Sequence, residues 1–263
     1  MTTQLIARYS LGNSIHYGLI EGDKVRRLVG SIYEGLNLGQ ETDQLAEVRL
    51  LAPVERPRIF GLAYNYNAHT QEANKTVPSA PVVFMKPDTA LVGPGDAIVY
   101  PHDGEIVHYE GELTVIIGKK GRYITEDKAL DHILGYSCGN DVSDRIVQRR
   151  ESAFGTLLAG KGYDSFAPIG PVIATELDPA NLQVITRLNG VVKQDANTSD
   201  LLFSVRYAIA YLSRFMTLMP GDVIMTGTPA GVGPIAPGDV VEVEIPGIGV
   251  LRNPVVAEAR PAA

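Results

Sequence analysis

The sequence predicts a mainly β fold, a roll or sandwich of short strands carrying a few helices. Three observations point there. Segments rich in Val, Ile, Tyr and Thr recur along the 263 residues, a composition that suits a half-buried pleated surface. The 27 glycines and 17 prolines are spread through the chain, as tight turns between many short strands require. Strands and helices do not alternate regularly, which disfavours Rossmann-like and barrel α/β plans.

The first fifty residues read as a small N-terminal α+β unit, residues 1–52. Gln4–Leu11 and Ser14–Ile20 are strand-like, and Glu21–Val29 turns back through Gly22-Asp23. A helix-like or irregular piece is expected from Ser31 to Leu51. Pro53 and Pro57 then punctuate the chain and open the larger domain, residues 53–263. Its strand candidates are Pro57–Leu62, Ala80–Lys86, Asp96–Pro101, Val107–Gly118, Val184–Val192, Asp222–Pro229 and Asp239–Gly247. Thr125, followed by Glu126 and Asp127, has the signature of a helix start, with a helix expected to end at Gly135. Apolar residues at helical spacing from Leu201 to Phe215 predict a second helix over 200–219, stopped at Pro220-Gly221. The PGDV turn occurs twice and predicts two similar strand entries.

Hydrophobic content of 45% and charged content of 20% suit a globular domain rather than a disordered chain. No apolar run reaches the roughly 18–20 residues of a membrane helix, and no secretory signal is expected from MTTQLIARYS. The lone Cys138 excludes an internal disulfide and fits a reducing compartment, so a cytoplasmic location is expected. Net charge is −7 and the longest basic tract is the short Gly118–Arg122 turn, so neither nucleic acid nor membrane is expected as a partner.

The segment HYEGELTVIIG, His108 to Gly118, poses the chemical question. It reads as a buried strand, yet it opens with Glu110 and Glu112. Alternate residues share a strand face, so both carboxylates point one way, with His108, Thr114 and Ile116. Two close carboxylates disfavour each other's ionisation, and burial adds to the penalty. A bound cation removes both problems, and hard oxygen ligands point to Mg²⁺, Mn²⁺ or Ca²⁺ rather than zinc. Two surface glutamates at a strand end would look the same, and an ion needs further ligands. Asp141, after a Gly/Asn-rich turn, is the candidate third. His69 and Glu72, at i and i+3, would share one face of a helix, but by themselves they read as polar loop surface.

Six blocks then occur in order: GLAYNYNAHTQE (Gly61–Glu72), VFMKP (Val83–Pro87), YEGELTVIIGK (Tyr109–Lys119), GYSCGNDVSDR (Gly135–Arg145), GKGYDSFAPIGP (Gly160–Pro171) and PGDVIMTGTPAGVG (Pro220–Gly233). Together they resemble the fumarylacetoacetate hydrolase family over about residues 53–256. The resemblance implies a β-roll catalytic domain, a Mg²⁺ or Mn²⁺ ion (Ca²⁺ as a substitute) and a homodimer. It maps the metal carboxylates onto Glu110, Glu112 and Asp141, and a base and its orienting partner onto His69 and Glu72. It makes Lys161 a catalytic contact to substrate or metal ligands. Arg145, Gln148 and Thr228 become substrate contacts. Arg145 and Gln148 are expected on one helix face with Asp141. His108 reads as a neighbour of the site, and residues 67–79 as a closing lid. The implied substrates are small 2-oxo or 1,3-dioxo carboxylic acids, transformed through an enolate that the ion stabilises. The later motifs are most similar to the branch acting on 2-hydroxyhepta-2,4-diene-1,7-dioate, an isomerase/decarboxylase activity of aromatic catabolism. Acylpyruvate or fumarylpyruvate hydrolysis and oxaloacetate decarboxylation or tautomerisation remain open beside it, and a non-catalytic binding module is disfavoured by the acid–base pair.

Overall fold

One 12-stranded sheet organises the chain in the computed structural model, which describes residues 3–259. Its central run is Leu5–Leu11, Ala167–Ala174, Ile133–Asn140, Gly111–Ile117, Val223–Met225, Ile59–Ala63 and Val82–Lys86. Beyond Leu5–Leu11 the sheet continues through Ser14–Glu21, Lys24–Leu28 and Leu38–Gln44. The N-terminal unit therefore extends the main sheet, with Leu5 paired to Ala174 and Ile6 to Ile173. A 5-stranded sheet runs Val191–Asn197, Gln183–Leu188, Val240–Ile245, Gly249–Ala257 and Ile98–Tyr100. A 3-stranded sheet joins Ser143–Asp144, Val107–Tyr109 and Gly233–Pro234.

The strand Gly111–Ile117 is buried along its whole length, as the apolar residues on both its faces predict. Leu113, Val115 and Ile117 pack towards Val243, Ile245 and Leu251 of the second sheet, and towards Val205, Ala208, Ile209 and Leu212. Ile116 points the other way, among Ile173, Val223, Met225, Leu19 and Ile32. The period of two divides one strand between two cores. Both PGDV turns lead into strands, at Val223 and at Val240.

Three helices are described: α1, Asn67–Glu72; α2, Arg145–Ser152; and α3, Val205–Phe215. α3 is shorter than the expected 200–219 because Ser204 caps it, accepting the Tyr207 N–H, while Leu201 bridges to Tyr66. The helix expected from Thr125 is a 3-10 turn over Glu126–His132. Ile133 and Leu134 belong to the next strand, because Ile133 pairs with Ile117 across a bulge. Pairing also overrides the helical or irregular reading of Ser31–Leu51. Leu38–Gln44 is an edge strand on Lys24–Leu28, followed by a 3-10 turn, Leu45–Glu47, and a short strand, Arg49–Leu50. LGQETDQ shows no apolar alternation because most of it faces solvent.

A polar cluster ties that edge down. The Tyr9 hydroxyl donates to Asp43 at 2.5 Å, and Arg27 donates to both oxygens of Asp43 at 2.8 and 2.9 Å. The bidentate Arg27 guanidinium holds the Asp43 carboxyl down at about 2. An acid whose pKa falls on folding contributes stability above its unfolded value, near 4, and loses it as pH falls through the folded value. Acid titration of stability should therefore show a loss between about pH 4 and pH 2 that is smaller in Asp43→Asn; equal slopes in the two proteins would contradict this assignment.

A second constraint leads to the site. Gly61 lies directly across from Phe84, and a Cβ on Gly61 would meet the Phe84 ring at 2.1 Å. The ring lies flat over the glycine, with the Lys161 ammonium 4.7 Å from its centroid. Gly61→Ala is expected to cost about 1–3 kcal/mol by overpacking, measured by denaturant unfolding, and to displace Phe84 from beneath Lys161.

Candidate active site

The predicted strand Val107–Gly118 breaks at Glu110. Val107–Tyr109 belongs to the small sheet and Gly111–Ile117 to the large one. The intervening Glu110 N–H donates to the Asn140 side chain at 2.9 Å instead of to a ladder partner. Gly111 is required between the glutamates because the second sheet presses on it. A Cβ there would lie 1.9 Å from Thr186 Oγ1. Gly111 N–H donates to Gln194 Oε1 at 3.0 Å, and its carbonyl accepts the Thr228 hydroxyl at 2.9 Å.

Register delivers the third carboxylate. Gly111 pairs with Asn140, so Asp141 falls beside Glu110 and donates its N–H to the Glu110 carbonyl at 2.9 Å. Glu110, Glu112 and Asp141 are buried, and each offers an oxygen within 4.8 Å of the others. Asp141 does not share a helix with Arg145 and Gln148, as the spacing had predicted. α2 starts only at Arg145, because the Asp144 side chain accepts the N–H groups of Ile146 and Val147 and caps it there.

Cations compensate the cluster unevenly. Lys161 Nζ donates to Asp141 at 2.5 Å, Glu110 at 3.0 Å and Ser143 at 2.8 Å, which uses all three of its hydrogens. It does not pair with Asp164, which is exposed. Burial alone would lower the Lys161 pKa; Asp141 and Glu110 outweigh it and hold Lys161 as an ammonium. Lys86, also buried, pairs with the other Asp141 oxygen and donates to the Val142 carbonyl at 3.1 Å. Burial draws Lys86 down to about 8 against the pull of Asp141. Glu110 is likewise penalised by burial, but Lys161 and Arg145, the latter at 2.6 Å, hold its carboxyl well below the usual range.

Glu112 is the exception. It accepts the Gly227 N–H at 2.7 Å, and among the described residues no Lys or Arg pairs with it. Burial, then Asp141 and Glu110, push its carboxyl well above the ordinary value. Three hard oxygens, one of them lacking a counter-charge, fit a Mg²⁺-class ion.

The His69–Glu72 pair faces the same space. α1 places His69 Nδ1 3.2 Å from Glu72 Oε2, and Glu72 accepts the Gly231 N–H at 3.1 Å. His69, Glu72, Glu110, Glu112, Arg145, Gln148, Lys161 and Thr228 all line one cavity of about 560 Å³, and Asp141 lies behind the acidic floor. Gln148 Oε1 accepts from Arg145 at 2.9 Å, and the Thr228 hydroxyl also accepts from Gln194 at 2.8 Å. His108 lines the cavity too; burial, then the Arg145 charge, lower it to about 4, so it is neutral at pH 7.

Sequence reasoning assigned no role to Lys86, Asn140 or Gln194. Lys86 stood inside the quoted VFMKP block, and Asn140 preceded Asp141 in another. Gln194, in the polar strand Val191–Asn197, carried no signal.

Residues 58–256 match the family model described as fumarylacetoacetate (FAA) hydrolase C-terminal, and residues 5–53 match one described as Rv2993c-like, N-terminal. Protein Rv2993c of Mycobacterium tuberculosis is 46% identical over 220 residues, 82% of this chain and 82% of that protein. The mitochondrial oxaloacetate tautomerase fahd2 of Xenopus laevis is 40% identical over 232 residues, 84% of this chain and 72% of its own length. A crystal structure of 2-hydroxyhepta-2,4-diene-1,7-dioate isomerase from Mycobacterium marinum is similar with a TM-score of 0.90 at 39% identity, covering 98% of this chain and 100% of that one. The chain belongs to the fumarylacetoacetate hydrolase family. No helix among the described residues is long and apolar enough to cross a membrane.

An acid whose pKa rises on folding binds more protons folded than unfolded, so stability falls as pH climbs above the unfolded carboxylate range. Glu112→Gln should therefore leave the metal-free protein at least as stable as wild type at pH 7, with the gain vanishing below about pH 4. The same variant should lose the rise in Tm that Mg²⁺ or Mn²⁺ gives the wild type. Thermal scans with ion and with chelator read both effects, and an undiminished ion shift in the variant would remove Glu112 from the ligand set.

Proposed function

We propose that this protein interconverts tautomers of small 2-oxo acids, moving a proton at the carbon beside the 2-oxo group. The observation that carries the reading is the meeting of two devices in one cavity: a buried triad of carboxylates and a His–Glu pair. Glu110, Glu112 and Asp141 would hold a Mg²⁺ or Mn²⁺ ion, which when bound supplies Lewis-acid polarisation of the 2-oxo carbonyl. Glu72, pinned by the Gly231 N–H, accepts the His69 Nδ1 proton and so leaves Nε2 free to take a proton from carbon. Returning that proton to another position completes an isomerisation without water. Lys161 keeps Asp141 and Glu110 in place, and its permanent charge adds positive potential where negative charge develops on the ligand oxygen. Arg145, held by Glu110 and Gln148, orients the substrate.

Two of the relatives with named activities support tautomer chemistry, while other similar structures carry the names of a fumarylacetoacetate hydrolase and a maleylpyruvate hydrolase. Of the first two, one is named an oxaloacetate tautomerase; the other is an isomerase of a 2-hydroxy-diene diacid, the enol form of a 2-oxo acid.

The test is a metal-supplemented assay on oxaloacetate and 2-hydroxyhepta-2,4-diene-1,7-dioate with products identified. Enol–keto interconversion should exceed the CO₂ release and chain cleavage, and chelator should abolish it. His69→Ala should lower kcat by about 10²–10⁴-fold, the usual contribution of a positioned base. Unchanged kcat in His69→Ala, or cleavage products in place of the tautomer, would overturn the reading.

A further inference from the structure

α2 turns Arg145, Gln148, Arg149 and Ser152 towards the cavity. Their spacing, i, i+3, i+4 and i+7, is one face of a helix. The inner end of that face is fastened at the acidic floor, where Arg145 Nη1 meets Glu110 and Gln148. The other terminal nitrogen, Arg145 Nη2, is buried and has no hydrogen-bond partner. His108 Nδ1, in the same cavity, is buried and unpartnered as well. Buried polar atoms without partners are uncommon in folded proteins, and two of them belong to residues that line this one cavity.

Arg149 lies one turn further out, about 6 Å along the helix axis from Arg145. Lys75 reaches the cavity from the segment after α1, where its N–H donates to the Thr70 carbonyl at 3.0 Å. Both side chains are exposed cations, and among the described residues neither pairs with a carboxylate. The facing acid, Glu72, is engaged by His69 and the Gly231 N–H. The outer cavity therefore carries unneutralised positive charge at a set distance from the metal end.

We propose that Arg149 and Lys75 determine substrate specificity by receiving the distal carboxylate of a 2-oxo diacid whose 2-oxo acid end lies at Glu110, Glu112 and Asp141. The assignment rests on the function proposed above and narrows it. A chain long enough to reach one turn along α2 is favoured, and a monoacid of equal length forfeits the outer contact.

Calorimetric titration of the Mg²⁺-loaded full chain separates the two ideas. Three probes are used: oxalate, which engages only the metal end; 2-oxoadipate; and 2-oxohexanoate, its monoacid counterpart. The wild type should bind 2-oxoadipate about ten-fold more tightly than 2-oxohexanoate, the effect of one charge-assisted contact. In Arg149→Gln/Lys75→Gln that preference should disappear, while oxalate still binds and reports an intact metal end. If oxalate binds but the wild type shows no preference, or the double variant keeps it, this assignment is overturned and the proposed function stands. If oxalate fails to bind the wild type, the proposed function falls and this assignment with it.

Discussion

Three carboxylates confined at the buried rim of a sheet are the constraint on which the rest of this structure depends. Their mutual repulsion in a low-dielectric place would neutralise them or unfold the rim if nothing opposed it. The chain opposes it with Lys86 and Lys161 on Asp141, and with Lys161 and Arg145 on Glu110. Breaking a buried pair of this kind leaves an uncompensated charge, and both lysines are buried. Glu112 is left with a single backbone donor, and that asymmetry leaves the cluster open to an ion instead of closed as a salt-bridge network.

The same constraint explains the chain's local irregularities. The strand breaks at Glu110 so that its carboxylate can turn towards Lys161 and Arg145. Gly111 gives the second sheet room to approach, and through Gln194 that sheet reaches Thr228. The flat contact of Phe84 on Gly61 carries the ring that faces the Lys161 ammonium. Each device brings a polar group to the junction of the three sheets, where strand ends leave space for a cavity that continuous ladders would fill.

Roles within the cavity divide by position. The floor is acidic, with fixed cations on Asp141 and Glu110 but none on Glu112; one wall, on α1, carries the His69–Glu72 pair; another, on α2, carries a cationic face. Lys161 has no hydrogen to spare, because Glu110, Asp141 and Ser143 take all three. His69 differs: its ring has one nitrogen committed to Glu72 and the other available.

How much of this could be read from the sequence follows from which interactions are local. The mainly β class, most strand segments of the larger domain and the pairing of Glu110 with Glu112 rest on alternation and turn chemistry, which act over a few residues. The family motifs carried His69, Glu72, Asp141, Arg145, Gln148, Lys161 and Thr228, and all are found at or directly behind one cavity. Length and kind of element failed where long-range pairing overrode local preference, as at Leu38–Gln44 and at Ile133–Asn140. The places of Lys86, Gln194 and Asn140 at the site were decided only by tertiary structure. A buried charge or amide takes its role from partners thirty or more residues away, and no local pattern encodes which partner the folded chain will bring.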